Sequence, residues 1–166
     1  MITWPNFASQ LFNGLASGAL LALISSGLTI IYGTLGVLNL AHGAMFMLGG
    51  YAGYVAFEAT GSFVVAAIAG ALFLGVVGGA MELVVIRRFY GRPPEDQILV
   101  TFGIGIVIVE LVRLAFGSLS LTVPPPSWAA GVTPMGFLIY PTYRIVVLAI
   151  AAVRSEERRV GKECRP

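Results

Sequence analysis

The distribution of apolar residues predicts several membrane-spanning helices. No Lys, Arg, Asp or Glu precedes Glu58, so the first 57 residues form one uncharged stretch. A transmembrane helix needs about 20 largely apolar residues. Such runs predict four spans, at residues 7–31, 33–57, 63–86 and 98–116, and a fifth that starts near Tyr143 and stops at Val153. The pattern therefore predicts an all-α, polytopic membrane bundle with about four complete spans and a truncated fifth.

The second run, residues 33–57, is unusual because it contains six glycines. Each glycine inside a helix costs about 1 kcal/mol relative to alanine. We therefore expect this span to be kinked, broken or partly re-entrant. Irregular backbone at membrane depth is tolerated only where it is buried in protein or lines a water-filled cavity.

Glycines in two other runs have the spacing of helix-packing sites. Gly14 and Gly18 form a G-x-x-x-G pair in the first run, and Gly75 and Gly79 repeat this spacing in the third. Small residues at this spacing let the backbones of two membrane helices approach closely. We therefore expect these four glycines to lie at helix contacts.

The composition agrees with a membrane protein and narrows its chemistry. The chain is 57% hydrophobic and 11% charged, whereas a soluble domain is about 25% charged. It has no phosphate-binding G-x-x-x-x-G-K-[ST] motif and no G-x-S-x-G nucleophile motif. One His, and no Cys before Cys164, leave too few side chains for a metal site. We therefore assign no catalytic residue, no metal and no cofactor to the chain.

Two polar side chains interrupt the uncharged stretch. Asn39 and His42 are three residues apart, so on a helix they would share a face. Polar groups at membrane depth need a partner or water. Three interpretations stay open at this point. In the first, the pair is purely structural and hydrogen-bonds to a neighbouring helix or to backbone carbonyls freed at a kink. In the second, it lines a polar substrate pathway together with Gly43. In the third, His42 relays protons to Glu110.

The charged residues predict one ion pair and the orientation in the membrane. Glu110 and Arg113 lie three apart on the fourth run and are expected to pair, with Arg113 reaching the outer interface. Short loops rich in Arg face the cytoplasm. The loop after the third run therefore faces inside and the N-terminus outside. Its arginines are Arg87, Arg88 and Arg92.

The last thirteen residues, 154–166, differ from the rest of the chain. They contain the only Lys and the only Cys, and they resemble the translated read-through of a sequencing adapter. A cytoplasmic basic tail is the alternative. The nine or so apolar residues that follow Arg144 would make about 14 Å of helix, half of the membrane core. We therefore expect residues 1–153 to be native, the tail to be foreign, and the native protein to be longer.

The uncharged stretch also carries a family resemblance. Residues 27–43, GLTIIYGTLGVLNLAHG, and residues 47–51, MLGGY, resemble the signature of branched-chain amino acid ABC transporter permeases. More narrowly, they are similar to the type whose motif reads Asn-Phe-Ala-His-Gly, with Leu40 in place of the Phe. Residues 99–103 and 140–144 also look like this family, and the resemblance covers about residues 6–153.

The resemblance implies a permease domain over residues 1–153 that imports branched-chain or related small amino acids. Its expected partners are a second permease subunit, two cytoplasmic ATPase subunits that use the ATP, and an extracytoplasmic solute-binding protein. It implies a bacterial or archaeal plasma membrane, contact with lipid and none with nucleic acid. The family's ATPase-docking loop after the fifth span is absent here. An ion-coupled secondary transporter and a non-transporting scaffold subunit remain as alternatives.

Overall fold

The computed structural model of the chain describes residues 4–118, 121–134 and 139–163, with backbone alone for Pro5, Ile139 and residues 154–163. Helices dominate this part of the chain. They are α1 (Trp4–Leu35), α2 (His42–Thr60), α3 (Phe63–Val84), α4 (Pro94–Phe116) and α5 (Thr142–Glu163), with a 3-10 helix at Ile86–Phe89 and two short strands, β1 (Val132–Pro134) and β2 (Ile139–Pro141). The predicted all-α class is confirmed.

Three of the described helical segments are long and apolar enough to cross a membrane. They are Asn6–Leu35, Phe63–Phe89 and Pro94–Phe116. The 19-residue α2 is not among them, so the described helices give one span fewer than the four predicted. The apolar part of α5, Thr142–Val153, is shorter, as predicted for the fifth run. The chain therefore has the form of a polytopic helical membrane protein.

Contacts divide the chain into two compact units. One is Gly27–Val123, and the other combines Met1–Ser26 with Pro124–Pro166. The first unit contains the end of α1 together with α2, α3 and α4. The second contains the start of α1, the two strands and α5.

The break between α1 and α2 lies later than the sequence suggested. Gly36 has a φ of +66°, and its N–H donates to Tyr32 O at 2.9 Å. This left-handed glycine cap ends α1 at Leu35. Residues 36–41 are non-helical, and α2 starts at His42. The predicted start of the second span at residue 33 is therefore wrong, and the glycines inside α2 do not interrupt that helix.

The α2–α3 hairpin packs backbone against backbone. A Cβ added to Gly70 of α3 would lie 2.7 Å from Gly49 O, and one added to Gly53 would lie 3.1 Å from Ala66 O. Around the four glycines predicted to pack, Gly14, Gly18, Gly75 and Gly79, no described atom comes within 4 Å of an added Cβ. Within the described chain, the close helix contact therefore lies at Gly49, Gly53 and Gly70 instead.

The connection from α3 to α4 is short and basic. Arg87, Arg88 and Arg92 are all exposed, and Arg92 lies 3.8 Å from Asp96. The fourth helix begins at Pro94, four residues before the predicted start. Proline fits the first turn of a helix because the N–H that it lacks would have no helical partner there.

The described chain has a small buried core and a large apolar exterior. Ala41, Met45 and Met81 form the buried cluster, to which Ile104 and Ile108 of α4 add half-buried side chains. Many large apolar side chains are exposed, among them Leu114 at 84%. Exposed apolar surface on this scale is expected where lipid rather than water surrounds the helices.

The second unit contains a two-stranded hairpin and the last helix. The strands β1 and β2 pair antiparallel, with Thr133 opposite Tyr140. The fifth helix then starts at Thr142, one residue before the predicted position. Its backbone stays helical to Glu163, although its apolar part ends at Val153 as predicted. The foreign origin of residues 154–166 stays a prediction.

Candidate functional site

The side chain of Asn39 shapes the break between α1 and α2. Its Oδ1 accepts a hydrogen bond from the N–H of Ala41 at 3.0 Å, and its backbone oxygen accepts from the N–H of His42 at 3.3 Å. An Asn side chain that binds the backbone two residues later forms an Asx turn. Asn39 therefore precedes the helix that His42 begins. The expectation that the two share one helical face is wrong, because residues 36–41 are not helical.

A threonine of α4 supports this break from outside. Thr101 Oγ1 accepts a hydrogen bond from the N–H of Leu40 at 3.1 Å and lies 2.7 Å from the backbone oxygen of Gln97, to which it donates. Thr101 is only 2% exposed. The hydroxyl thus gives a partner to a backbone N–H that has no place in either helix. The sequence analysis assigned no role to Thr101, because the contact joins residues 61 positions apart.

Small residues bring the break close to α4. A Cβ added to Gly105 would lie 3.4 Å from the Cα of Ala41, and Ala41 is completely buried. Thr101 lies about 10 Å along α4 from its first residue, at 1.5 Å per residue. The irregular backbone is therefore packed against the body of α4 rather than against its end. This is the kind of environment in which non-helical backbone is tolerated at membrane depth.

A cavity of about 270 Å³ lies beside the break. Asn39 and His42, the two polar residues predicted from the sequence, both line it, and so do Glu82 and Tyr90. The remaining wall is apolar and includes Ile31, Val37, Met45, Leu74, Met81 and Ile86. Ligand pockets commonly combine apolar walls with a few polar groups that fix orientation. Gly43 is exposed and does not line this cavity, so its predicted place beside Asn39 and His42 is not supported.

A glycine of α1 sits directly against the His42 ring. A Cβ added to Gly27 would lie 3.3 Å from His42 Nε2. Any larger residue at position 27 would therefore press on the imidazole. The sequence analysis did not single out Gly27, since glycines are too frequent in this chain for one of them to stand out.

A carboxylate–phenol pair lines the same cavity. Tyr90 donates its hydroxyl hydrogen to Glu82 Oε1 at 2.9 Å. This hydrogen bond raises the pKa of Tyr90 above its ordinary value, because the protonated phenol is the form that donates; partial desolvation adds to the rise and Arg87 opposes it. Neither of the two salt bridges in the described part of the chain involves Glu82, so its side-chain partner there is Tyr90.

The second charged pair lies apart from this cavity. Arg113 Nη1 lies 2.8 Å from Glu110 Oε1, and both side chains are more than half exposed. Glu110 lines a different cavity of about 270 Å³, together with Leu40 and Phe102. The acid that shares a cavity with His42 is Glu82. The structure therefore gives no support to a proton relay from His42 to Glu110.

A helix pair that has no charged residue before Glu58 and is broken at a buried Asn, next to a mostly apolar cavity, is a suitable arrangement for membrane transport. Residues 10–162 match the sequence model of a family described as branched-chain amino acid transport system / permease component. The chain belongs to this family. Membership and the three long apolar helices together place the chain in a bacterial or archaeal plasma membrane as a multi-pass protein.

Curated relatives carry matching names. The high-affinity branched-chain amino acid transport system permease protein LivH of Escherichia coli K12 is 28% identical over 179 residues, and LivH of Salmonella typhimurium is 27% identical. The corresponding protein BraD of Pseudomonas aeruginosa is 25% identical. Each alignment covers 96% of this chain and 58% of the relative, so the chain spans less than two thirds of their length. No solved structure matches the chain.

Proposed function

We propose that this chain is a membrane-spanning permease subunit of an ABC importer that translocates branched-chain or related small amino acids. The family match and the names of the curated relatives support the transport role and the substrate class. In this proposal an extracytoplasmic solute-binding protein delivers the solute, and a second permease subunit completes the pathway. Two cytoplasmic ATPase subunits use the ATP, and this permease chain carries no cofactor and no ATPase site of its own.

The observation that carries the proposal is the cavity beside the α1–α2 break. Its walls are mostly aliphatic and thioether side chains, which suit a branched aliphatic side chain. Its polar groups are the amide of Asn39, the imidazole of His42 and the carboxylate of Glu82, which suit the charged ends of an amino acid. Asn39 is only 6% exposed, so its amide is held inside the protein rather than in bulk water.

Transport by the assembled importer tests this proposal. A full-length permease that contains residues 1–153 would be reconstituted into liposomes with its partner permease and ATPase subunits, and binding protein loaded with radiolabelled leucine would be added outside. We expect uptake that requires ATP, that unlabelled isoleucine and valine inhibit, and that lysine and glutamate leave unchanged. Uptake driven by a proton or sodium gradient without ATP would support the ion-coupled carrier instead. No uptake of any amino acid would leave the scaffold role as the better account.

A further inference from the structure

Arg144 has no charged partner among the described side chains of the second unit. Among residues 1–26 and 124–153, Arg144 is the only Lys, Arg, Asp or Glu. In the part of the chain that the structure describes, the two salt bridges are Arg92–Asp96 and Arg113–Glu110, and neither involves Arg144. A guanidinium that is half-buried among neutral groups retains a strong preference for an anion.

Neutral side chains hold this guanidinium in place. Arg144 Nη1 donates to Asn13 Oδ1 of α1, and its Nε donates to the hydroxyl of Tyr143 at 3.0 Å. The guanidinium carbon also lies 5.8 Å from the centre of the Tyr143 ring. The orientation of the planar group is therefore fixed through two of its nitrogens. A guanidinium whose orientation is already fixed is well suited to a carboxylate, because the arginine side chain loses less conformational freedom when the anion binds.

A buried hydroxyl next to Arg144 has no acceptor for its hydrogen. Tyr140 is 2% exposed, and in the described part of the chain its hydroxyl donates no hydrogen bond. The Arg144 guanidinium has only donors, so its interaction with this hydroxyl leaves the hydroxyl hydrogen unused. Its ring packs against Phe12 at 5.5 Å, and its backbone is paired with Thr133 in the hairpin. A buried hydroxyl hydrogen without an acceptor is unfavourable, so its presence beside a cation points to a ligand that accepts from both groups.

The position of the cluster also favours an anion. Arg144 is the third residue of α5, where the partial positive charge of the helix N-terminus adds to that of the guanidinium. The charge pattern of the loops predicts that this end of α5 faces outside. A solute released by a binding protein would reach this end first.

We propose that Arg144, Tyr140 and Asn13 form a binding site for the carboxylate of a small solute. Arg144 binds the carboxylate, Tyr140 donates its hydroxyl hydrogen to one oxygen, and Asn13 holds the guanidinium in position. The assignment of that solute as an amino acid rests on the proposed import function. The proposal that the site binds a carboxylate does not rest on that function. A lipid phosphate has related chemistry. The burial of the Tyr140 hydroxyl favours the smaller ligand, because only a small group can reach it.

Chemical protection of the arginine tests the site without any transport. Phenylglyoxal modifies accessible guanidinium groups, and mass spectrometry of peptides measures the rate at Arg144 and, as an internal reference, at Arg113. The full chain in maltoside micelles, which contain no phosphate, would be treated alone and with L-leucine, isovalerate or L-leucinamide. Leucine and isovalerate have the carboxylate, and leucinamide lacks it. We expect both carboxylates to slow modification of Arg144, leucinamide to have no effect, and Arg113 to react equally throughout.

Tyr140→Phe gives a second readout that keeps the ring and its packing. Loss of one hydrogen bond to a charged group weakens binding by about tenfold or more. We therefore expect this variant to need about ten times more leucine for the same protection of Arg144, while the basal rate of modification stays similar. Unchanged protection in Tyr140→Phe would remove the hydroxyl from the site.

Other outcomes would overturn the proposal. They are equal protection by leucine and leucinamide, no protection by either carboxylate, and failure of phenylglyoxal to reach Arg144 in the free protein. Protection by phosphatidylglycerol in nanodiscs, with none by leucine in micelles, would identify a lipid phosphate as the ligand. The two proposals fail separately. If isovalerate protects Arg144 but no amino acid is imported, the carboxylate site is supported and the import function is rejected. If amino acids are imported but no carboxylate protects Arg144, the import function is supported and the carboxylate site is rejected.

Discussion

The Thr101 hydroxyl of α4 lies 3.1 Å from the backbone nitrogen of Leu40, in the break between α1 and α2. This contact gives a hydrogen-bond partner to non-helical backbone that is packed inside the bundle. Asn39 satisfies a second N–H in the same break, that of Ala41. Asn39 and His42 line the cavity beside this break. The backbone there is therefore held by a threonine of α4 that does not itself line the cavity.

Replacement of Thr101 should loosen the break. Thr101→Val keeps the shape of the side chain but leaves the partly buried N–H of Leu40 without this partner, which costs about 1 kcal/mol and up to about 3 kcal/mol. Thr101→Ser keeps the hydroxyl and is the matched control. We expect Thr101→Val, but not Thr101→Ser, to lower the free energy of unfolding by that amount in a denaturant titration in micelles. Equal stability of the two variants would show that the hydrogen bond is unimportant.

Asn39→Ala should destabilise the start of α2. The variant removes the acceptor for the Ala41 N–H, and comparable losses at helix starts cost about 0.5–2 kcal/mol. Asn6→Ala, an exposed change in α1, is the control. We expect hydrogen exchange at residues 41–45 to become faster in Asn39→Ala alone. Unaltered exchange at these amides would contradict the Asx turn.

The α2–α3 contact should tolerate no added methyl at Gly70. A Cβ there would lie 2.7 Å from Gly49 O, so the two backbones must separate. Overpacking of this kind costs about 1–3 kcal/mol. The control is Gly75→Ala on the same helix, where no described atom lies within 4 Å of the new Cβ. We expect Gly70→Ala to lower the thermal unfolding temperature and Gly75→Ala to leave it unchanged or raise it. The reverse order would contradict the packing described for the hairpin.

The Glu82–Tyr90 hydrogen bond should be visible in the titration of Tyr90. The bond favours the protonated phenol, so it raises the pKa of Tyr90 and stabilises the fold below the ordinary tyrosine pKa. That contribution is lost as the pH rises through the raised pKa. We expect Glu82→Gln to lower the pKa of Tyr90 in an NMR titration of labelled tyrosine, and Glu95→Gln to leave it unchanged. An unchanged Tyr90 pKa in Glu82→Gln would show that the pair does not form.

Some features of the fold could be predicted because their causes are local. Three apolar runs of sufficient length gave α1, α3 and α4, and the uncharged second run gave a helix preceded by irregular backbone. The position of the break could not be predicted, since six glycines compete for it and only the φ of +66° at Gly36 selects the cap. The start of α4 was predicted four residues too late, because a proline can either end a helix or begin one.

The candidate site was only half visible in the sequence for a related reason. Asn39 and His42 stand out as polar residues in an uncharged stretch. Thr101, Gly27 and Glu82 join them through contacts between distant parts of the chain, which no local pattern reveals. The glycine pairs with the strongest spacing signal, Gly14–Gly18 and Gly75–Gly79, are not where the described helices meet. Spacing alone does not say which face of a helix has a neighbour.

The central claim is that the cavity beside the α1–α2 break is part of the solute pathway. ATP-dependent leucine uptake by the reconstituted importer, compared between His42→Ala and Leu114→Ala at equal protein levels, tests it most directly. Leu114 is an exposed apolar residue of α4 and does not line the cavity. Loss of one polar contact to a solute costs about 1.4 kcal/mol or more, a tenfold effect. The account predicts at least that loss of uptake for His42→Ala and wild-type uptake for Leu114→Ala, and normal uptake by His42→Ala would contradict it.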